Sequence, residues 1–447
     1  MSSYTVIDPR SGEQLTSYPV DTDAEIDAKL DAAHGAYKTW ARQTIEERVA
    51  LLQRLAQLHE ERQDALAEII QKEMGKSRED ALGEIGVCIS IYRYYAENAA
   101  AFLADETIDV TSGPGTAVVQ RRPVGVLLGI MPWNFPYYQV ARFAGPNLAL
   151  GNTILLKPAP QCPESGLALQ GLFDDAGFPA GTYNNVFATN EQVERIIGDP
   201  RVQGVSVTGS ERAGAAVAEI AGRNLKKVVL ELGGSDPFIV LGVSDMDEAV
   251  DAAFEARMEN TGQSCNAGKR VIVLDELYDD FVARYTAKML ARPASPVSSL
   301  VAAERLSDQV GRAVASGATL QTSGERDGAW FPPGVLTGVQ PGGDVFYEEF
   351  FGPVAMVFRV QDEDEAIRIA NDTPFGLGSY LFTTDAEQAH RVAEQLEAGM
   401  VYINGFGGEG AELPFGGIKR SGFGRELGRH GIDEFANKKL IRTLRQP

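Results

Sequence analysis

Residues 205–214, Val205-Ser206-Val207-Thr208-Gly209-Ser210-Glu211-Arg212-Ala213-Gly214, contain the pattern that decides the fold. A short apolar strand runs into a glycine-bearing turn, and helical spacing follows at Ala216, Val217 and Ile220. Strands that alternate with helices in this way predict a parallel sheet with helices on its faces. The alternation is repeated from Val124, with strands predicted at 124–130, 153–157, 183–187 and 203–208.

The segments on both sides of this region extend the same α/β pattern. Residues 23–104 show the apolar periodicity of helices. Residues 105–122 are rich in Thr, Gly and Val, which is typical of an extended hairpin. Further strands and a second alternating region are predicted at 228–231, at 237–241, from 270 to about 404, and at 439–444 in the tail.

Composition excludes several classes of function. The chain has 447 residues and a formal net charge of −21, whereas nucleic-acid binding needs a basic face. Three cysteines, at spacings unlike a disulfide framework or a zinc site, predict reduced thiols in a cytoplasm and no metal centre. The amino terminus lacks the regions of a signal peptide, and no apolar run approaches the roughly 18–20 residues of a membrane span. We expect a cytoplasmic protein without membrane contact.

Cys265 is the candidate nucleophile. It ends the run Asn260-Thr261-Gly262-Gln263-Ser264-Cys265, whose polar and small residues indicate a loop rather than a core face. A thiolate is a strong nucleophile and thioesters are reactive acyl carriers. The alternative is a buried small hydrophobe, the usual role of a free cysteine. Core packing is expected of Cys88, in an apolar helical stretch, and Cys162 has no obvious chemical partner.

Two polar side chains suit the chemistry of such a thiol. Asn134 lies in Pro132-Trp133-Asn134-Phe135-Pro136, and its amide with the backbone N–H of Cys265 would form an oxyanion hole. Glu231 ends a predicted strand before Gly233-Gly234 and is the candidate general base for a hydrolytic water. An ordinary turn asparagine and a solvated carboxylate are the alternatives. The three groups together suit oxidation of an aldehyde through a thiohemiacetal and a thioester.

A dinucleotide would fit the carboxyl ends of the predicted strands, where open parallel sheets bind ligands. Thr208-Gly209-Ser210 leads into a helix whose amino terminus could face a pyrophosphate. The run lacks the G-x-G-x-x-G pattern, so a tight turn without a ligand is the alternative. Lys157 could bond ribose hydroxyls, and Glu349 could hold the nicotinamide ribose beside Phe351. A solvated lysine and a surface acidic pair are the alternatives there.

Together these motifs resemble the NAD(P)-dependent aldehyde dehydrogenase superfamily over nearly the whole chain. Five runs occur in the order of that family: 132–136, 231–234, 262–265, 349–353 and 414–417. The resemblance implies that Cys265 is the nucleophile, Glu231 the general base and Asn134 the oxyanion donor. It also implies cofactor contacts from Trp133, Lys157, Ala159, Pro160, Thr208, Gly209, Ser210, Leu232, Glu349 and Phe351.

The architecture of the family implies two open parallel α/β sheets and a bridging β-structure that pairs subunits. By this resemblance, residues 1–104 and 123–230 form the cofactor-binding domain and residues 231–410 the catalytic domain. Residues 105–122 and 411–447 would supply the bridge. A homodimer or homotetramer is therefore expected.

Within the superfamily the chain looks most like the shorter bacterial succinate-semialdehyde dehydrogenases, through residues 157–163 and 419–427. Pro160 stands where NAD-preferring members often carry a glutamate that bonds the adenosine ribose. NADP is therefore the favoured cofactor, with NAD as the alternative. Arg142 matches an arginine that would clamp the distal carboxylate of succinate semialdehyde.

Acidic residues near the expected entrance favour other substrates. Glu259 stands where some relatives use a second arginine, and Glu412 lies in a loop that often carries a basic residue. A neutral or amino aldehyde, with Tyr138 and Phe406 as aromatic walls, is the alternative substrate. A dehydrogenase that hands the thioester to coenzyme A is a further alternative, although such relatives tend to lack the base that Glu231 would supply.

Overall fold

Two large open sheets and a smaller third sheet organise the computed structural model, which describes residues 3–407 and 410–445. The chain starts with a two-stranded ribbon and four helices: β1 (Ser3–Ile7), β2 (Gln14–Pro19), α1 (Asp23–Trp40), α2 (Ile45–Glu61), α3 (Gln63–Met74) and α4 (Arg78–Phe102). Capping boxes start α1 and α2, because Thr22 and Thr44 each pair with a glutamate three positions on. The helices predicted over 23–104 are confirmed.

The next segment builds a parallel sheet. Its elements are β3 (Glu106–Ile108), β4 (Thr116–Pro123), β5 (Val126–Ile130), α5 (Tyr138–Leu150), β6 (Thr153–Lys157), α6 (Pro163–Ala176), β7 (Tyr183–Asn185), α7 (Asn190–Gly198), β8 (Val202–Thr208), α8 (Glu211–Arg223) and β9 (Lys227–Glu231). Strands β5 to β9 pair in parallel in the order β9-β8-β5-β6-β7. Every residue of β6 is buried, as expected of a strand covered on both faces. The four strands predicted here are confirmed, and β7 ends two residues earlier than predicted.

A seven-stranded sheet follows, in the order β13-β15-β16-β11-β10-β17-β18, and only β13 runs antiparallel to its neighbour. Asp245 caps α9 by accepting from the backbone N–H groups of Asp247 and Glu248. The elements are β10 (Asp236–Val240), α9 (Met246–Met258), β11 (Gly268–Leu274), α10 (Asp275–Ala291), β12 (Ser295–Pro296), α11 (Leu300–Ala315), β13 (Thr319–Thr322), β14 (Trp330–Phe331), β15 (Gly334–Thr337), β16 (Val354–Val360), α12 (Glu363–Asn371), β17 (Tyr380–Phe382), α13 (Ala386–Gln395) and β18 (Tyr402–Ile403). Single 3-10 turns occupy Glu259–Gly262, Asp344–Tyr347 and Lys419–Ser421.

The tail returns to the earlier parts of the chain through β19 (Gly422–Phe423), α14 (Gly428–Asp433) and β20 (Ala436–Thr443). Strand β20 pairs antiparallel with β4 over eight residues, and β3 completes a three-stranded sheet on the other side of β4. Strand β19 instead joins the first sheet as the antiparallel neighbour of β9. The predicted α/β class with two open sheets and a separate β-structure is confirmed, whereas the domain boundaries remain a prediction. Among the described residues, no helix combines the length and apolar character needed to cross a bilayer.

Strand register brings the carboxyl ends of the first sheet to one edge. Thr208 pairs with Glu231, and Ile130 lies between Val207 and Lys157. Open parallel sheets bind ligands at such an edge. From Glu231 the chain crosses through two glycines into β10 of the second sheet, whose first residue pairs with the start of β11. The edge of the first sheet and the loop before β11 therefore meet.

Candidate active site

The loop that holds Cys265 runs from the end of α9 to the start of β11. Asn260 and Thr261 adopt left-handed backbone conformations, with φ of 51° and 57°, immediately before Gly262. Such conformations cost roughly 1–3 kcal/mol for non-glycine residues and persist only where the surroundings impose them. Arg257, which is fully buried, supplies part of that constraint by donating to the carbonyl of Gly262 at 3.3 Å and to that of Phe350 at 2.8 Å.

Asn134 is docked against this loop. Its side-chain amide donates to the carbonyl of Gln263 at 3.1 Å, and its own carbonyl accepts from the side chain of Asn260 at 3.0 Å. The Pro-bounded turn and the cysteine loop therefore share reciprocal hydrogen bonds. The structure brings the predicted oxyanion donor and the predicted nucleophile into one buried unit.

The Cys265 thiol is partly exposed, unlike the buried Cys88 and Cys162. Burial nevertheless raises the pKa of the Cys265 thiol to about 12, and the positive charges of Arg142 and Lys269 oppose that rise. The thiol is therefore neutral at physiological pH in this state. Reaction as a thiolate requires either more favourable charge or removal of the proton in the step itself.

Glu231 ends β9 with 2% of its surface exposed. In the part of the chain that the structure describes, neither of its carboxylate oxygens has a hydrogen-bond partner. Burial raises the pKa of this carboxyl well above its ordinary value, against the opposing charge of Arg142. The carboxylate lies against Gly416, since a Cβ added there would stand 2.7 Å from Glu231 Oε1. The run 414–417, which the sequence marks only by resemblance, therefore forms a wall of the site.

Arg142 is fully buried on α5 and forms an ion pair with Glu426. A second contact joins its guanidinium to Thr208 Oγ1 at 3.4 Å, and its central carbon lies 4.2 Å from the ring centre of Phe415. Ser206 also donates to Glu426 at 3.1 Å. The guanidinium that the sequence assigns to substrate is thus engaged with a carboxylate of the tail. Sequence reasoning gives Glu426 no role, although the quoted run 419–427 contains it.

A buried lysine that sequence reasoning overlooked lies on the other side of the thiol. Lys269 donates to the carbonyls of Ser264 and Cys265, both at 2.7 Å, and its Nζ lies 3.2 Å from Glu349 Oε1. Glu349 Oε1 also accepts from the backbone N–H of Gly234 at 3.0 Å. The available signal was Lys269-Arg270, two adjacent cations at the start of an otherwise apolar strand.

Phe351, the ring expected near the nicotinamide, is in contact with Trp133, which the family resemblance assigns to the cofactor. The rings of Trp133 and Phe351 meet edge to face with centres 5.6 Å apart, and Lys269 Nζ lies 5.6 Å from the centre of the Phe351 ring. Leu232 packs under α8, because a Cβ added to Gly214 would lie 2.6 Å from its side chain. We refer to the line of residues from Trp133 and Phe351, beside the cysteine loop, to Leu232, beside α8, as the cofactor path.

The far end of that path suits a dinucleotide. Lys157 is buried, its described hydrogen bond is a long one of 3.4 Å to the Pro158 carbonyl, and burial lowers its pKa to about 8. Its ammonium thus retains donor capacity for a ligand. Ser210 caps α8, and a Cβ added to Gly209 would meet nothing within 4 Å, so space is open beside this helix terminus. Ala159 is buried next to Lys157, and the Pro160 carbonyl accepts from the Thr5 N–H of β1 at 2.9 Å.

Among the remaining predicted substrate residues, Tyr138 lies next to the buried Arg142, whose guanidinium carbon is 5.1 Å from the centre of the Tyr138 ring. Tyr138 starts α5, partly buried, with its ring centre 6.0 Å from that of Phe135. Phe406 is also partly buried, 5.9 Å from the ring of Tyr380. Glu259 and Glu412 are exposed. The structure therefore places Tyr138 beside Arg142 and leaves the two acids at the surface.

The known proteins that share this arrangement identify its class. The model of the aldehyde dehydrogenase family matches residues 1–441, and the chain belongs to that family. It is an NAD(P)-dependent oxidoreductase that converts an aldehyde to a carboxylic acid.

Individual relatives are similar over their whole length. The chain is 50% identical to the succinate-semialdehyde dehydrogenase (NADP+) of Deinococcus radiodurans, over 99% of this chain and 95% of that protein. It is 42% identical to succinate-semialdehyde dehydrogenase (NADP+) 1 of Mycobacterium tuberculosis, over 97% and 98%. The crystal structure of succinic semialdehyde dehydrogenase from Streptococcus pyogenes in complex with NADP+ superposes with a TM-score of 0.95, at 40% identity, over 98% of this chain and 99% of that one.

Proposed function

We propose that this enzyme oxidises succinate semialdehyde to succinate with NADP+ as the electron acceptor. The observation that supports this most is the 50% identity, over nearly the whole of both chains, to a succinate-semialdehyde dehydrogenase (NADP+). The position of Pro160 agrees with this choice of cofactor. A carboxylate there would repel the 2′-phosphate, and a proline does not.

The residues along the path described above would hold the cofactor. Lys157 and Ser210 suit the ribose and pyrophosphate end, and Glu349 with Phe351 suits the nicotinamide ribose. When bound, the nicotinamide supplies a two-electron acceptor for the aldehyde carbon.

The side chains of this chain would divide the remaining chemistry. Cys265 Sγ attacks the aldehyde carbon and loses its proton. The Asn134 amide and the Cys265 N–H donate to the oxygen that gains charge. After oxidation, Glu231 takes a proton from the water that attacks the thioester, and the acid and the thiol are released. Burial raises the pKa of Glu231, which favours its protonated form, and the carboxyl can act as a base in hydrolysis only after it has lost its proton.

A second substrate class has structural support. Arg142 is engaged with Glu426, and the two acidic residues nearest the expected entrance, Glu259 and Glu412, are exposed. A carboxylate on the substrate would meet these charges, whereas a neutral or amino aldehyde would not be repelled. This candidate remains the alternative to succinate semialdehyde.

A comparison of specificity constants separates the two candidates. We expect kcat/KM for succinate semialdehyde to exceed the values for 4-aminobutanal and for hexanal by at least ~100-fold. We also expect kcat/KM to be higher with NADP+ than with NAD+. The matched control is glutarate semialdehyde, which keeps the carboxylate and lengthens the chain. A preference for 4-aminobutanal would reject the proposed substrate and leave the family assignment intact.

We further infer a cytoplasmic homodimer or homotetramer. The three cysteines are unpaired, which suits a reducing compartment. The three-stranded sheet presents exposed apolar side chains, with 58% of Leu440 on β20 and 40% of Ile108 on β3 accessible. Such a surface is typical of a subunit contact.

A further inference from the structure

Lys269 is a buried cation that the proposed chemistry does not use. Its side chain has no exposed surface. Two of its donors reach the carbonyls of Ser264 and Cys265, and Glu349 Oε1 lies within reach of the third. An ammonium has three N–H donors, so the geometry occupies all of them. One charge therefore connects the backbone of the nucleophile to the carboxylate proposed for the nicotinamide ribose.

The groups around the Lys269 ammonium are packed closely enough to fix their positions relative to one another. Glu349 also accepts from the N–H of Gly234, and a Cβ added to Gly234 would stand 2.4 Å from the carbonyl oxygen of Cys265. The crossing segment, the cysteine loop and Glu349 are thus packed around the Lys269 ammonium. Any displacement of the ammonium would move the thiol relative to the cofactor path.

A purely structural lysine in the same chain offers a comparison. Lys226 also binds two backbone carbonyls, those of Asp199 at 3.3 Å and Val202 at 2.6 Å, and it is only partly buried. Among the described ion pairs, none joins Lys226 to a carboxylate. The two carbonyls that Lys226 binds lie at the amino end of β8. Lys269 differs because its charge lies inside the protein and next to a reactive thiol.

The charges around the thiol give Lys269 an electrostatic role. The groups that face Cys265 are Arg142 and Lys269, which favour the thiolate, and Glu349 and Asp236, which oppose it. Each of these cations is paired with a carboxylate, Arg142 with Glu426 and Lys269 with Glu349. Lys269 differs from Arg142 because it also donates to the backbone carbonyl of Cys265, which ties the position of its charge to that of the cysteine.

We propose that Lys269 is a positioning residue, which holds Cys265 and Glu349 in register and favours the thiolate form of the nucleophile. This inference rests on the proposed roles of Cys265 and Glu349. It does not depend on which aldehyde is oxidised.

Alkylation of the thiol by iodoacetamide, without substrate or cofactor, tests the proposal directly. In the wild type the rate should rise with pH from about 7 to about 9.5 without a plateau, because the thiol pKa lies above that range. Loss of a nearby cation raises a thiol pKa by roughly one unit or more, which gives tenfold less thiolate. The remaining thiolate is about threefold more nucleophilic, so Lys269→Met should react roughly threefold more slowly at each pH. Lys269→Arg should restore most of the rate, and the control Lys226→Met should match the wild type.

A second variant should change the alkylation rate in the opposite direction, which distinguishes an effect of charge from simple misfolding. Glu349→Gln keeps a side-chain oxygen for Gly234 but removes the negative charge, so alkylation should become faster than in the wild type. General loosening of the site would change both variants in the same direction and would overturn the proposal, as would wild-type reactivity of Lys269→Met. NADPH titration by fluorescence should also show weaker binding, by severalfold, in Lys269→Met and unchanged binding in Lys226→Met. If the wild type prefers another aldehyde, the proposed function fails while these readouts remain valid.

Discussion

At the scale of single residues, Cys265 is the proposed nucleophile, and turnover should depend on it. Replacement of a covalent nucleophile removes both the thiohemiacetal and the thioester, so Cys265→Ala should lower kcat by at least ~10³-fold in a steady-state NADPH absorbance assay. Cys88→Ala is the control. That thiol is buried in α4, so the variant should keep kcat and lose only stability. Residual turnover close to that of the wild type in Cys265→Ala would rule out the proposed nucleophile.

Glu231 should act after the oxidation step. We predict that Glu231→Gln forms one equivalent of NADPH in a stopped-flow burst, because acylation does not need the base. Steady-state turnover should then fall by roughly 10²–10⁴-fold, the usual contribution of a general base. Equal losses in the burst and in the steady state would show that Glu231 acts earlier.

The pH dependence of hydrolysis follows from the same carboxyl. Burial raises its pKa well above the ordinary value, and a base works only when deprotonated. If hydrolysis limits turnover, kcat should therefore fall as pH drops through this raised pKa and increase as pH rises. This dependence is measured as kcat against pH, with the burst rate at each pH as the control. A kcat that does not fall on the acid side of the profile, while the burst rate is unchanged, would contradict a raised pKa of Glu231.

At the scale of elements, the loop before β19 shapes the space around Glu231. Gly416 has a φ of +146°, and a Cβ added there would lie 2.7 Å from Glu231 Oε1 and 2.8 Å from the carbonyl of Gly424. We predict that Gly416→Ala displaces this carboxylate and lowers kcat by roughly 10-fold to 100-fold, as small misplacements of catalytic groups do. Thermal unfolding should show a lower Tm as well, because the backbone becomes strained.

A glycine in open space provides the control for this prediction. Gly311 lies exposed on α11, and a Cβ added there would meet nothing within 4 Å. Gly311→Ala should leave kcat unchanged and stabilise the protein by about 1 kcal/mol, because alanine favours the helix. Similar losses of kcat in the two variants would indicate a general sensitivity to alanine rather than a contact with Glu231.

The sequence predicted individual elements well where residues close together in the chain determine them. Apolar runs and glycine turns locate the strands that end at Lys157, Thr208 and Glu231, and parallel pairing places those ends together. Lys269 and Glu426 were not assigned, because their partners lie far away in sequence or on the backbone of a loop. A side chain whose partners are a distant charge or the backbone carbonyls of a loop leaves no periodic pattern, so only the folded structure defines its role.

At the scale of the whole molecule, assembly should depend on the three-stranded sheet. Leu440 on β20 is 58% exposed, and a lysine there would place a charge in the proposed subunit contact. We predict that Leu440→Lys shifts the mass measured by light scattering toward that of one chain. Val301→Lys, at a position on α11 that is 73% exposed, is the control and should assemble normally. Unchanged assembly of Leu440→Lys would exclude this surface as the main contact.

The overall architecture was also largely predictable, with one exception in the tail. The alternation of strands and helices predicted the α/β class, and the family resemblance implied two sheets and a separate β-structure. The short strand Gly422–Phe423 was not predicted, since two residues carry too little pattern to mark a strand. Its pairing with β9 follows from tertiary contacts that composition and periodicity do not encode.

The pairing of β19 with β9 has a consequence for how the enzyme matures. The edge of β9 remains uncovered until residues 422–423 have left the ribosome, almost two hundred positions after Glu231 has been made. Newly made chains therefore spend that interval with an open strand edge beside the residue proposed to activate water. The active site is therefore completed late in synthesis. A nascent chain that stalls or is cleaved before β19 should be inactive and prone to association rather than partly functional.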